Sequence, residues 1–420
     1  MIKYYCIAVC CFFTITVKSQ SVATYLQKNS VILGNTMEQG TVLDKDFFNN
    51  QIFLIGESHG IKQPQEIDFN FLKLLNQKVG VHTYIAEIDF AKAWYLNKYL
   101  KTGNEKCLDT VFVDWIKYDA QWANQDFKEK IRKIRALNKT LSAERKIQFV
   151  GIDQIHNPVL AADYFQEVID KNKFLSEIME FKPLISLLRT RGEDSLIVQE
   201  SRKLLNVMNN ESFPKISSDE RCNLTYALTN CSKIDSKSRE RVIFENFKNR
   251  YKDLNWAREK LYGLWGFSHM LQAKANGGKS VSLAYLLSND KELSLKGKIA
   301  SIGMLYLDCQ MALPTRFMPP ALQNKGKHYT VSSDMNYDGP LTKFEFIEDF
   351  KKASSPKSAT LFKMNGANSP FLKQQVRIIY SPMMPVQQQL QLDEAQKSLT
   401  DYFQYVILIR NSPAVTTILP

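Results

Sequence analysis

Gln51-Ile-Phe-Leu-Ile-Gly-Glu-Ser-His-Gly60 decides the fold of this chain. Its first five residues form an apolar run too short for a helix and bounded by Gly56, which reads as a strand buried on both faces. Directly beyond that strand stand Glu57, Ser58 and His59. In open α/β sheets ligands bind just outside the carboxyl ends of the strands, so polar residues at this point are candidates for chemistry.

Outward from this stretch the pattern alternates. Gln65 to Lys78 places Ile67, Phe71, Leu74 and Leu75 on one helical stripe, Val81 to Ala86 is a second strand that ends at Glu87, and Phe90 to Leu100 is helical again. Ile147 to Val150 is a third strand, followed by Gly151-Ile-Asp153. From about 159 to 260 helical spacing dominates, including Phe174 to Leu188, Glu193 to Met208 and Ser238 to Tyr262, and no Pro- or Gly-rich linker brackets it. Strands resume at Gly263 to Gly266, Ile299 to Leu307, Thr360 to Met364, Val376 to Tyr380 and Tyr405 to Ile409. The expected fold class is α/β: a central mixed, largely parallel sheet flanked by helices, with a helical insertion or cap. The stretches Pro314 to Lys343 and Met364 to Phe371 are rich in Gly, Pro and Asn and are expected to be surface loops.

Length and composition agree with one large domain. The chain has 420 residues, 44% hydrophobic and 23% charged, and can bury a substantial core without disulfides or metal. Residues 1–19 carry a short positive start, a 14-residue apolar run from Tyr4 to Val17, and then Lys18, Ser19 and Gln20, which has the shape of a secretory signal. Ala8 and Val9 before Cys10 are a poor context for lipid attachment. The expectation is a signal peptide over 1–19, a single domain over 20–420, and export to a periplasm or the medium, with no stable membrane span after signal removal. Removing Lys3 and Lys18 with no acid lowers the formal charge from +12 to +10.

The densest basic stretch includes Lys128, Lys130, Arg132, Lys133, Arg135, Lys139, Arg145 and Lys146, but Asp126, Glu129 and Glu144 are interspersed and no aromatic stacking motif accompanies it. It reads as a solvated helix face, and nucleic acid is not an expected partner. After signal removal Cys107, Cys222, Cys231 and Cys309 remain; they do not resemble a metal-binding set, and Cys222 with Cys231 reads equally as a bridge or a free pair.

The chain has only five histidines, and His59 and His269 both fall just past apolar strands, the second within Trp265-Gly-Phe-Ser-His269. A histidine titrating near neutrality can take a proton from water, while a neighbouring carboxylate fixes its tautomer and stabilises the imidazolium that forms. Glu57, His59, Glu87 and His269 therefore suit a water-activating hydrolase. There is no Gly-x-Ser-x-Gly nucleophile elbow and no phosphate-cradling glycine loop. Ser58 is a secondary candidate, and Asp153 is read as a structural strand-end carboxylate.

Leu54-Ile-Gly-Glu-Ser-His-Gly60, a helix, and then Tyr84-Ile-Ala-Glu87 resemble the opening of the erythromycin esterase-like proteins, whose pattern runs Gly-Glu-Ala-Thr-His-Gly and then a strand ending in Glu. Later stretches follow in the same order: Arg135 to Asn138 with Phe149 to Asp153, Arg239-Glu-Arg241 with Glu245-Asn246, Trp265 to His269, and Asp401 to Pro413. The resemblance spans residues 50–415. Two features depart from it. The first motif is one residue shorter, as in the wider superfamily shared with ChaN-like haem-binding lipoproteins, and Phe267 stands where the family has its first histidine.

The resemblance implies an exported, metal-independent hydrolase that cleaves an ester or lactone of a small-molecule substrate, with no cofactor. It implies His59 as the base that activates water, Glu57 or Glu87 orienting it, His269 holding substrate or the developing oxyanion, and Arg239, preferred over Arg241, supplying positive charge. Glu66, Arg241 and Ser58 are the implied substrate-binding residues; Glu66 reads otherwise as a helix-start carboxylate. The alternatives are a metal- or haem-binding ChaN-like protein and a catalytically degenerate secreted binding protein.

Overall fold

The structure, a computed structural model, describes residues 21–34 and 42–418 apart from 173–174, 176–179, 211–212, 214–215 and 319–321. The stretch on which the signal-peptide expectation rests lies outside the described residues. Among those described, no helix is long and apolar enough to cross a membrane.

The expected α/β fold is present. Eight strands form one sheet: β1 (Ser30–Leu33), β2 (Ile52–Glu57), β3 (Thr83–Ala86), β4 (Gln148–Gly151), β5 (Leu261–Gly266), β6 (Ile299–Leu307), β10 (Ala359–Lys363) and β12 (Tyr405–Arg410), in the spatial order β1-β10-β12-β6-β2-β5-β3-β4. The run from β12 to β4 is parallel, and at one side β10 pairs antiparallel with both β12 and the edge strand β1. β2 is central because both of its faces are apolar: Phe53 and Ile55 enter one core, Ile52 and Leu54 the other. Helices Gln63–Val79, Phe90–Thr102, Glu105–Lys117 and Gln125–Asn138 cover the first face. Helices Arg239–Asp253, Leu283–Asn289 and Ile347–Ala353 cover the second.

Between β4 and β5 the chain is helical, with Pro158–Lys171, Phe181–Thr190, Asp194–Met208, Ser218–Cys231 and Arg239–Asp253. The first four pack on a third apolar cluster, to which Phe90 and Ala91 also belong. The helix expected from Phe174 is seen as Phe181–Thr190, Phe174 itself lying outside the described residues. The helix expected over Ser238 to Tyr262 stops at Asp253, and β5 starts at Leu261.

Four further strands make two small antiparallel pairs: β7 (Met311–Pro314) with β8 (Tyr329–Ser332), and β9 (Thr342–Phe344) with β11 (Ile378–Tyr380). The stretch from Pro314 to Lys343, expected to be loop, thus contains β8 and the start of β9, while Val376 to Tyr380 contributes to a small pair and not to the main sheet. Met364 and Phe371 are fully buried, so the segment between them is anchored at both ends and does not simply run over the surface.

The outer border of β4 is closed by side chains. Asn138 holds the N–H and C=O of Ile147 at 2.7 and 2.8 Å, Asn97 holds both groups of Phe149 at 2.8 Å, and the Tyr226 hydroxyl donates to the Gly151 carbonyl at 2.8 Å. All four described cysteines are free. Cys222 and Cys231 lie on one helix nine residues apart, roughly 13 Å along its axis, beyond the span of a disulfide.

Lys130 departs from the solvated-face expectation. It is 2% exposed, and its Nζ lies 2.5 Å from Asp68 Oδ2, a carboxylate that also accepts from the hydroxyls of Tyr84 at 2.8 Å and Tyr262 at 2.6 Å. This hub ties the Gln63–Val79 and Gln125–Asn138 helices to β3 and β5 beneath the strand ends. Removing one partner of a buried ion pair strands the other. Lys130→Met is therefore expected to destabilise the fold by about 3–5 kcal/mol, read as a lower urea midpoint at unchanged m; an unchanged midpoint would show that the two tyrosines alone support the carboxylate.

Candidate active site

The order of the strands creates the site. The chain leaves β2, forms β3 and β4 on one side, returns through β5 between β2 and β3, and then places β6 on the other side of β2. The carboxyl ends of β2, β3 and β5 thereby meet at a topological switch point. Close approach there depends on two glycines. A Cβ on Gly56 would fall 3.0 Å from the Phe267 Cα and 2.6 Å from Met270 Cγ, where the short 3-10 turn Phe267–Met270 folds over β2. A Cβ on Gly266 would sit 3.4 Å from His59 Nε2, 3.4 Å from His269 Cδ2 and 3.7 Å from Glu87 Oε2. Groups carried by three separate segments thus surround one glycine.

His59 follows β2 and turns its Nδ1 onto Glu57 Oε1 at 3.0 Å. Nε2 has no protein partner among the described residues and faces the cleft. Glu57 is 3% exposed and accepts from Gln65 Nε2 at 3.4 and 3.3 Å. The His59 ring packs against Trp122 with centroids 4.8 Å apart, and its carbonyl accepts from Gln121. Burial acts to lower the His59 pKa, but the hydrogen bond and charge of Glu57, with the charge of Glu87, outweigh it and hold the imidazole above its ordinary value.

Glu87, just past β3, is fixed by Gly266 N–H at 2.7 Å on Oε2 and by Arg239 Nη2 at 2.8 Å on Oε1, with His269 Nε2 3.3 Å from the same Oε1. Arg239, the first residue of its helix, also grips Asp153 with two bonds, Nε to Oδ1 at 2.9 Å and Nη2 to Oδ2 at 2.6 Å. His269 contacts Glu240 through Nδ1. Burial disfavours every one of these charges, yet the pairings win. Glu87 is held well below the carboxylate range by the charge and hydrogen bond of His269, and Asp153 falls to about 2 through His156 and Arg239. His269 is raised to about 10 by Glu87 and Glu240. At neutral pH His269 is thus an imidazolium, whereas His59 carries the ring nitrogen, Nε2, that is open to the cleft.

The cleft measures about 510 Å3. Glu57, Ser58, His59, Glu87, Arg239 and His269 all line it, and so does Phe267, whose ring packs on Phe403 and over Gly303. Ser58 donates its backbone N–H to the Tyr306 hydroxyl at 2.9 Å. Glu66 and Arg241 are solvent-exposed and are not among the cleft-lining residues. Gln65, one position earlier than Glu66, is the residue of that helix start that reaches the site. Sequence reasoning also missed Trp122, Glu240 and the apolar wall of Met311, Leu313, Tyr337, Ile378, Tyr380 and Met384, much of which comes from the small strand pairs. Among the described residues no group of three or more His, Cys, Asp or Glu side chains is arranged to hold a metal ion.

No protein-family model matches the chain, and no curated protein matches it by sequence. Solved structures do share its architecture. A protein from Bacillus cereus is 16% identical with a TM-score of 0.69 over 94% of this chain and 98% of its own. A succinoglycan biosynthesis protein is 15% identical with a TM-score of 0.62 over 94% and 98%. A mutant of the erythromycin esterase EreC, in its open conformation, is 13% identical with a TM-score of 0.53 over 87% and 91%. The fold is therefore that of the erythromycin esterase-like α/β proteins, and identities this low speak to the fold alone.

The ion pairs have a pH signature. Because His269 binds its proton more tightly in the folded state, its contribution to stability is complete below about pH 6.5 and is lost as pH rises through about 10. Denaturant midpoints of the wild type should fall across that window, whereas those of His269→Gln should be flatter; parallel slopes would assign the proton elsewhere.

Proposed function

We propose that this chain is an exported hydrolase that cleaves an ester or lactone bond by activating water at His59. The observation that carries this reading is the Glu57–His59 pair: a buried carboxylate holds Nδ1–H, so the neutral tautomer presents an unprotonated Nε2 to the cleft. Water held at Nε2 loses its proton to the ring as it attacks the carbonyl carbon. The imidazolium that results is stabilised by Glu57 and by the nearby charge of Glu87. The proton then passes from Nε2 to the departing alkoxide, which restores the neutral ring.

Across Gly266 from His59 stand His269 and Arg239. Arg239 Nη1 lies 3.4 Å from His269 Nε2, and since both groups are cationic neither accepts from the other. An N–H of Nη1 is thus available to a carbonyl oxygen as negative charge develops on it. The fold shared with an erythromycin esterase supports an ester-type substrate, and the apolar wall supports a substrate with a sizeable non-polar part.

A panel of chromogenic esters and lactones tests the proposal. The neutral base is the active form, so the rate should rise with pH through a midpoint above 6.5, the direction in which His59 is shifted. Glu57→Gln should lower that midpoint and reduce the rate by roughly 100- to 10,000-fold, and His59→Ala should abolish turnover. Hydrolysis that survives His59→Ala undiminished would remove His59 from the mechanism.

A further inference from the structure

A second cavity, of about 780 Å3, opens along the outer border of β4 and shares no lining residue with the catalytic cleft. Its volume is in the range of small-molecule sites. One wall is aromatic: Phe90, Trp94 and Tyr164 meet edge to face, with the Phe90 and Trp94 rings 5.3 and 5.5 Å from Tyr164. Arg250, in the last turn of the Arg239–Asp253 helix, also lines it and is only 7% exposed.

Among the described residues Arg250 has no ion-pair partner. Its guanidinium lies 3.7 Å from the Tyr226 ring centroid, Nη2 donates to Asn223 Oδ1 at 2.9 Å, and Nη1 contacts Cys222 Sγ at 3.4 Å. Both acceptors are neutral. Nε is buried without a partner, and no carboxylate pairs with the group among the described residues. A guanidinium carries five N–H donors, so three remain here, and a buried cation left in this state is destabilising. The Tyr226 face and the helix C-terminus offset part of that cost. Nε is closed off from the cavity, so the second N–H of Nη1 and that of Nη2 form the fork that matches two oxygens of a planar carboxylate.

Asp219, Glu220, Asp253 and Lys171 also line the cavity, but all four are solvent-exposed and leave it a net acidic rim. Their field penalises a doubly charged ligand while leaving a single charge paired with the buried Arg250. We propose that this cavity is a second binding site, for a small aromatic carboxylate whose single negative charge pairs with Arg250 while its ring lies against Phe90, Trp94 and Tyr164.

Titration of the full chain with benzoate and with benzamide, its neutral counterpart, tests this through the indole N–H resonances of Trp94 in the cavity and Trp122 in the catalytic cleft. Benzoate should shift Trp94 saturably, and benzamide should bind at least about tenfold more weakly. Arg250→Gln should lose benzoate binding. Asn223→Asp, which supplies an internal carboxylate to Nη2, should lose it as well and keeps the fold falsifiably intact if Arg250→Gln does not fold. Equal binding of the two probes, no saturable shift at Trp94, a shift confined to Trp122, or wild-type affinity in Asn223→Asp would each overturn the proposal.

Discussion

Carboxylates buried at the ends of parallel strands, and the cations that keep them charged, are the constraint on which this molecule is organised. Glu57, Glu87 and Asp153 are 3%, 7% and 1% exposed. Without partners Glu87 and Asp153 would be driven toward their protonated forms, because desolvation disfavours the ionised form. Arg239 prevents this for both at once by joining the ends of β3 and β4, and His269 adds a second positive charge beside Glu87. The hydrogen bond and charge of Glu57, with the charge of Glu87, outweigh burial and the nearby His269 and make the remaining imidazole, His59, more basic.

How far the sequence reveals this depends on the range of the interaction. β2 was legible because its pattern is local: an apolar run, a glycine, then polar residues; β3, β4, β6 and β12 are likewise short apolar runs that give way to polar residues. Glu57, His59, Glu87 and His269 were legible for a related reason, since each follows such a run directly. The strands β7, β8 and β9 were not, being three or four residues long, set among turn residues and stabilised by one another. Lys130 looked like one more cation on a solvated face; only the fold brings Asp68 to it across 62 residues.

Helix starts illustrate the limit at the level of a single residue. Position 66 carries an acid suited to a first helical turn, and position 65 an amide with no evident purpose, yet Gln65 reaches Glu57 and Glu66 faces water. At the Arg239–Asp253 helix the resemblance favoured Arg239 over Arg241, and between them lies Glu240, which contacts His269 and had no signal in the sequence. Helical phase at the first turn is set by how the helix docks, which is a tertiary property and not a local one.

The side chains of Asn138, Asn97 and Tyr226 occupy the main-chain groups of Ile147, Phe149 and Gly151 that an adjoining ribbon would need. At this border the sheet offers no template to another strand, and two asparagines and one tyrosine accomplish what proteins otherwise achieve with charged or proline-bearing margins. Replacing those amides would leave the main-chain groups of Ile147 and Phe149 without their partners and reopen the margin.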